Sequence, residues 1–200
     1  MKVFIGGSRH LRRLDDARLL DALDKIMRHN HRVLVGDAAG VDEGVQRYFA
    51  ANGYDNVTVY HMGDRPRRNH NPGAWEVRRV EDNRARKDFK YFALKDAAMS
   101  RDADCGLMLW DGNSKGTLNN VLNLLEDGKR ASVYFSPDRS LTTISAAGQL
   151  NALLEQCNPE MADYFDKNIN LTGRVRKLSA GQADMFSGRQ DARAVHAVTG

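Results

Sequence analysis

Three short stretches in this chain combine glycine with small polar residues, and each directly follows an apolar run. The first is Gly6-Gly7-Ser8-Arg9. Two glycines let a backbone approach a ligand closely, Ser8 offers a hydroxyl donor, and Arg9 offers a planar fork for a phosphate. The second is Gly36-Asp37-Ala38-Ala39-Gly40-Val41-Asp42, where Asp37 and Asp42 have two readings: a cap for the helix that follows, or a contact to a ribose hydroxyl. The third, Asp111-Gly112-Asn113-Ser114-Lys115-Gly116-Thr117, carries the strongest signal. Its glycines, Ser114, Thr117 and the amides of a helix start suit the cradling of a phosphate, and Ser114 is equally suited to cap that helix. The order of Gly, Lys and Ser/Thr excludes a Walker A loop.

These loops need elements to carry them to one place. Val3–Ile5, Val33–Val35, Val57–Tyr60, Cys105–Trp110 and Ala131–Phe135 read as five short strands, continuous rather than alternating in their apolar residues. Between them, apolar residues at helical spacing mark helices over Asp15–Asn30, from Val41 to Gly53, from about Ala74 to Ser100 with a break near Asp82–Asn83, and from Ser114 to Gly128. A further helix is expected over Leu141–Gln156. Strands alternating with helices imply right-handed crossovers and a parallel sheet buried on both faces. The fold class expected is therefore α/β: a Rossmann-like parallel sheet of about five strands with helices on both faces, followed by a C-terminal helix and a flexible tail. In such a sheet ligands lie beyond the carboxyl ends of the strands, where all three glycine-rich loops fall. The domain reading is 1–157 for the ligand-binding domain and 158–200 for the extension and tail.

Composition narrows the partners. The chain has 200 residues, 42% hydrophobic and 28% charged, with a net charge of +4. Between His61 and Lys90, nine Lys/Arg stand against five Asp/Glu, so the surplus of the whole chain sits in this stretch. That attracts phosphate, from a small ligand or from nucleic acid, or simply forms an arginine-rich solvated face. Within it, Arg65, Arg67, Arg68, Asn69 and His70 form a lid-like polar segment suited to a second phosphate, and Trp75 suits either base stacking or a core position. No apolar run approaches the roughly 20 residues of a membrane span. The apolar stretch after Met1 is too short for a signal peptide, and Cys105 and Cys157 have neither metal-ligand nor disulfide spacing. A cytoplasmic protein with reduced thiols, no metal and no cofactor is expected.

The succession Gly6-Gly7-Ser8-Arg9, Gly36-Asp37-Ala38-Ala39-Gly40-Val41-Asp42, Lys95-Asp96-Ala97-Ala98-Met99 with Ala103-Asp104, and Gly112–Thr117 resembles the SLOG superfamily over roughly residues 1–135. That group includes the "lonely guy" phosphoribohydrolases and the DNA-processing protein A domain; the likeness is to a bacterial and phage branch with a Gly-Ser-Arg start. The resemblance implies a nucleotide-like ligand, held by Gly6, Gly7, Ser8, Arg9, Gly36, Asp37, Gly40, Lys95, Met99, Gly112, Ser114, Gly116, Thr117 and Asn120, and a homodimer. In the phosphoribohydrolases an Arg-Lys-x-x-Met segment and a Pro-Gly-Gly-x-Gly-Thr-x-x-Glu loop cleave the base from a nucleoside monophosphate. Their arginine falls on Lys95, their lysine on Asp96 and their glutamate on Asn120, while Met99, Gly116 and Thr117 match. The phosphate cradle is kept and the catalytic pair is not, because an amide cannot replace a carboxylate at an oxocarbenium-like centre. A binding module is the first expectation. The alternative is a nucleotide N-glycosidase using Lys95 with a carboxylate elsewhere, Asp111 first and Asp37 next, with Asp96 on the helix entering the fourth strand. A third is association with DNA. In the tail, Gln182-Ala183-Asp184-Met185-Phe186 resembles the pentapeptide by which bacterial proteins dock on the sliding clamp, with Gln182, Met185 and Phe186 as its anchors.

Overall fold

The structure is a computed structural model that describes residues 1–67, 71–82 and 88–181. Seven strands form one sheet: β1 Lys2–Gly7, β2 Arg32–Val35, β3 Val57–His61, β4 Glu76–Arg79, β5 Cys105–Trp110, β6 Ala131–Phe135 and β7 Ser140–Ile144. Their spatial order is β4-β3-β2-β1-β5-β6-β7. All neighbours are parallel except β6 and β7. The helices between them are α1 Ala17–Arg28, α2 Val41–Ala51, α3 Phe89–Asp102 and α4 Lys115–Glu126.

Strand alternation sorts the helices onto two faces. Val3 and Ile5, Val33 and Val35, Val57 and Val59, and Leu107 and Leu109 point one way and form a core with α1 and α2. From α1 this core takes Leu19, Leu23 and Ile26, one helical stripe; from α2 it takes Val41, Val45 and Phe49. Phe4, Leu34, Met108 and Trp110, on the alternate positions, are buried on the other face, where α3 and α4 pack on each other and on the sheet. Helix α1 starts where Asp16 accepts the amide of Arg18 at 3.0 Å, and α4 starts where Ser114 accepts that of Thr117 at 3.3 Å.

The five strands read from sequence are present, with two more at the sheet edges. Glu76–Arg79 is a strand where helix was expected. Val77 alone among its four residues is apolar, and all four are exposed, which suits a short charged edge strand rather than a helix with one apolar stripe. Residues 140–144 form β7, so the helix expected from Leu141 begins only at Ala147. Arg139, with φ 58°, turns the chain back on β6, and Thr142, Thr143 and Ile144 are β-branched. Trp75 is a core residue: it is 7% exposed and its indole N–H donates to the Tyr54 carbonyl at 2.9 Å.

The chain divides into two compact units, Met1–Ile144 and a unit beginning at Ser145. The second contains α5 Ala147–Leu154, α6 Glu160–Ile169 and a further helical run over 171–181. Gln182, Met185 and Phe186 lie outside the described residues, as do Arg68, Asn69 and His70.

Candidate functional site

From β1 the chain steps outward through β2 and β3 to β4. It then returns through α3 to β5, on the other side of β1. The connection changes direction between β1 and β5, and the crevice beyond their carboxyl ends is where open α/β sheets take ligands.

Two of the three glycine-rich loops meet at that point. The Ser8 amide donates to the Leu109 carbonyl at 2.9 Å, pulling the end of β1 onto β5. The approach requires glycine at position 7, because a Cβ there would lie 2.3 Å from the Leu109 oxygen and 2.8 Å from Val41 Cγ2. Ser8 is fully buried; its hydroxyl accepts the Asp111 amide at 3.2 Å and lies 3.4 Å from the Thr117 hydroxyl. Ser8 therefore ties the two loops together. Arg9, the next residue, is exposed, with its guanidinium carbon 6.0 Å from the Phe92 ring centre.

The loop after β5 is held from within. Asp111 Oδ1 accepts the amides of Asn113 at 3.0 Å and Ser114 at 2.8 Å. Gly112 takes φ 78°, and the Trp110 indole N–H donates to the Ser114 carbonyl at 3.0 Å. The Thr117 hydroxyl donates to Ser114 Oγ at 3.0 Å. The carboxylate of Asp111 thus shapes the loop that carries Gly112, Ser114, Gly116 and Thr117.

A second centre lies one strand away, at the end of β2. Asp37, 2% exposed, accepts the amide of Arg67 at 3.0 Å and its guanidinium in a fork, Nε at 3.1 Å and Nη2 at 2.9 Å. Arg67 also stacks on Phe92, 4.5 Å from the ring centre. Lys95, on α3 and 3% exposed, donates to Asp96 at 2.7 Å. Asp42, at the start of α2 and 7% exposed, accepts the Ala38 amide at 3.0 Å. A Cβ on Gly36 would lie 2.4 Å from Asp42 Oδ2 and 2.5 Å from Lys95 Nζ, so a carboxylate and an ammonium converge on that glycine. Gly40, with φ 83°, brings the β2–α2 loop against the backbone of Arg9 and so joins the two centres.

These surroundings push the two aspartates apart. Burial alone would raise the pKa of Asp37, but the hydrogen bonds and charge of Arg67, with Lys95 behind, hold it below the ordinary carboxylate range. Burial raises Asp42 to about 6 despite Lys95, and the negative charges of Asp96 and Asp37 add to the rise. Burial works against charge on Lys95 as well, and Asp96, Asp42 and Asp37 outweigh it, so its pKa is raised.

Of the residues singled out from sequence, Gly6, Gly7, Ser8, Arg9, Asp111, Gly112, Ser114, Gly116, Thr117 and Asn120 gather at β1 and β5. Gly36, Asp37, Gly40 and Lys95 gather at β2, and Met99 lies buried in α3 one turn beyond Lys95. Asp42, a cap or a ribose contact by its place in the sequence, joins them at Gly36. Its only local signal is an acid in the first turn of α2. Nothing local announces the Arg67–Asp37 fork. Among the described residues no group of three His, Cys, Asp or Glu could hold a metal ion, and no helix is long and apolar enough to cross a membrane. A cleft of about 620 Å³ on the outer side of α2 is lined by Arg12, Leu14, Gly40, Glu43, Arg47 and Tyr48, with Glu43 and Arg47 paired.

No protein-family model matches the chain, and no curated protein matches it significantly. Among solved structures it is similar to DNA processing protein A from Helicobacter pylori, described for its single-stranded DNA binding mode. The identity is 16% and the TM-score 0.53, over 66% of this chain. The match spans 64% of the neighbour's length. At this distance the likeness shows the fold, a Rossmann-like α/β sheet.

Proposed function

We propose that the chain binds a nucleotide, or a nucleotide-derived phosphate ligand, at the carboxyl edge of β1 and β5. The observation that carries this reading is the junction at Ser8, which locks the Arg9 loop to the loop over 111–117 at the switch point of the sheet. One loop then offers the exposed Arg9 guanidinium and the other the start of α4, two groups that suit an anion. Incubation with ribonucleoside and deoxyribonucleoside monophosphates, NAD and ADP-ribose, followed by chromatography, tests the reading. A nucleotide retained unchanged on the protein supports it; a panel from which nothing is retained or altered contradicts it.

Two further readings have support of their own. Release of the base is favoured by Asp42, whose proton equilibrium lies near 6 beside the fixed anion Asp37; a general acid and base work best with values separated in this way. In the same incubation this appears as free base, lost in Lys95→Ala. Association with single-stranded DNA is favoured by the neighbour's described binding mode. It requires affinity that falls steeply with salt, and no binding at low salt would dismiss it.

A further inference from the structure

Arg9 and Arg67 reach the sheet edge on different loops, and both bring their guanidinium groups to one ring. That ring is Phe92, half-buried near the start of α3 and one turn before Lys95. Its centre lies 4.5 Å from the guanidinium carbon of Arg67 and 6.0 Å from that of Arg9. Two cations on one ring repel each other unless one of them is neutralised. Asp37 neutralises Arg67 through its fork. Arg9 keeps its charge: among the described residues no carboxylate or carbonyl accepts from its guanidinium.

The two arginines are therefore held differently. Arg67 has three hydrogen bonds to Asp37, one from its amide and two from its side chain, and these do not depend on the ring. Arg9 is fixed at its backbone, where Gly40 passes so close that a Cβ would lie 2.4 Å from the Arg9 carbonyl oxygen. Its side chain has the ring. A free arginine side chain loses rotamer freedom when it grips an anion, and one already restrained loses less. Contact with a ring face also spends none of the guanidinium N–H donors, which stay available to a phosphate.

We infer that Phe92 is a positioning residue, whose ring holds the Arg9 guanidinium ready for the anion of the ligand while Asp37 keeps Arg67 from competing for it. This role rests on the nucleotide reading above and deepens it by naming the side chain that prepares its anion contact.

The test is calorimetric titration of AMP, GMP, CMP, UMP, NAD and ADP-ribose into wild type, Phe92→Leu, Phe92→Tyr, Arg9→Ala and the double variant Arg9→Ala/Phe92→Leu. Phe92→Leu should weaken binding about two- to fivefold, the worth of an exposed cation–π contact. Phe92→Tyr, which keeps a ring, should bind as wild type does. In the Arg9→Ala background Phe92→Leu should bring no further loss, a coupling that a mere loss of helix packing would not produce. A loss of equal size with and without Arg9, undiminished affinity in Phe92→Leu, or a Phe92→Tyr protein as weak as Phe92→Leu overturns the role of the ring while leaving nucleotide binding intact. If none of the six compounds binds wild type, the nucleotide reading falls, and the role of Phe92 falls with it.

Discussion

The loop over 111–117 and the charged cluster at Gly36 stand at the same edge of one sheet, yet they are built in opposite ways. The loop is assembled mainly from near neighbours: Asp111 holds Asn113 and Ser114, and Ser114 holds Thr117. The cluster is assembled from positions 36, 37, 42, 67 and 95, which only the finished fold brings together. Within the loop, Asp111 and Ser114 take up the amides of Asn113, Ser114 and Thr117. Around Gly36, Asp42 is held by a single amide bond and raised to about 6 by burial. The loop's turn is held by its own side chains, whereas the state of Asp42 depends on what the fold packs around it.

Substitutions can sharpen or break this contrast. The largest effect is expected at the junction itself. Gly7→Ala drives a methyl group into the Leu109 carbonyl, which cannot move without the strand, and should cost about 3 kcal/mol in denaturant unfolding. Gly36→Ala meets only the ends of Asp42 and Lys95, and should cost less while displacing those two charges. Equal losses at the two glycines would erase the distinction.

Asp37→Asn should cost about 2 kcal/mol near neutral pH, because it leaves the fork of Arg67 without its anion. Arg67 is partly open to solvent, which limits the loss. Since the folded protein holds Asp37 below its ordinary value, this stabilisation is present above about pH 4 and fades as the pH falls further. Asp42 carries the opposite sign. Its folded value lies above the 3.8 of an unperturbed aspartate, so the wild type loses stability as pH rises from about 4 to about 6. Asp42→Asn keeps an acceptor for the Ala38 amide. It should therefore stabilise the protein by on the order of 2 kcal/mol at pH 7.5, and by nothing near pH 4. Thermal melts across that range check both signs; a destabilised Asp42→Asn protein at neutral pH would contradict this account of the cluster.

The smallest effects belong to the loop. Asp111→Ala and Ser114→Ala should each cost about 1 kcal/mol, the worth of an exposed cap. The double variant should cost less than their sum, because the two residues share one network.

The same contrast governs what the sequence discloses. The five inner strands and the starts of α1 and α4 were legible because each depends on a local run or cap: Val33–Val35, Asp16, Ser114. The edge strands were not. Glu76–Arg79 carries almost no apolar pattern, and Ser140–Ile144 is a strand through its pairing with β6. At the site, the glycine-rich loops and Asp111 stand out by composition, while the use of the Asp111 carboxylate on the loop's own amides does not. Lys95 and Asp37 were singled out, but their pairing with Asp96 and Arg67, and the convergence of Asp42 and Lys95 on Gly36, depend on long-range packing. No spacing along the chain records that packing.

The central claim is the place of binding, and amide chemical-shift mapping during titration with a bound nucleotide tests it most directly. The account predicts the largest shifts at Gly6–Arg9, Gly112–Thr117 and Gly36–Asp42. Shifts confined to the cleft lined by Arg12, Arg47 and Tyr48, with the β1 and β5 loops unmoved, would contradict it.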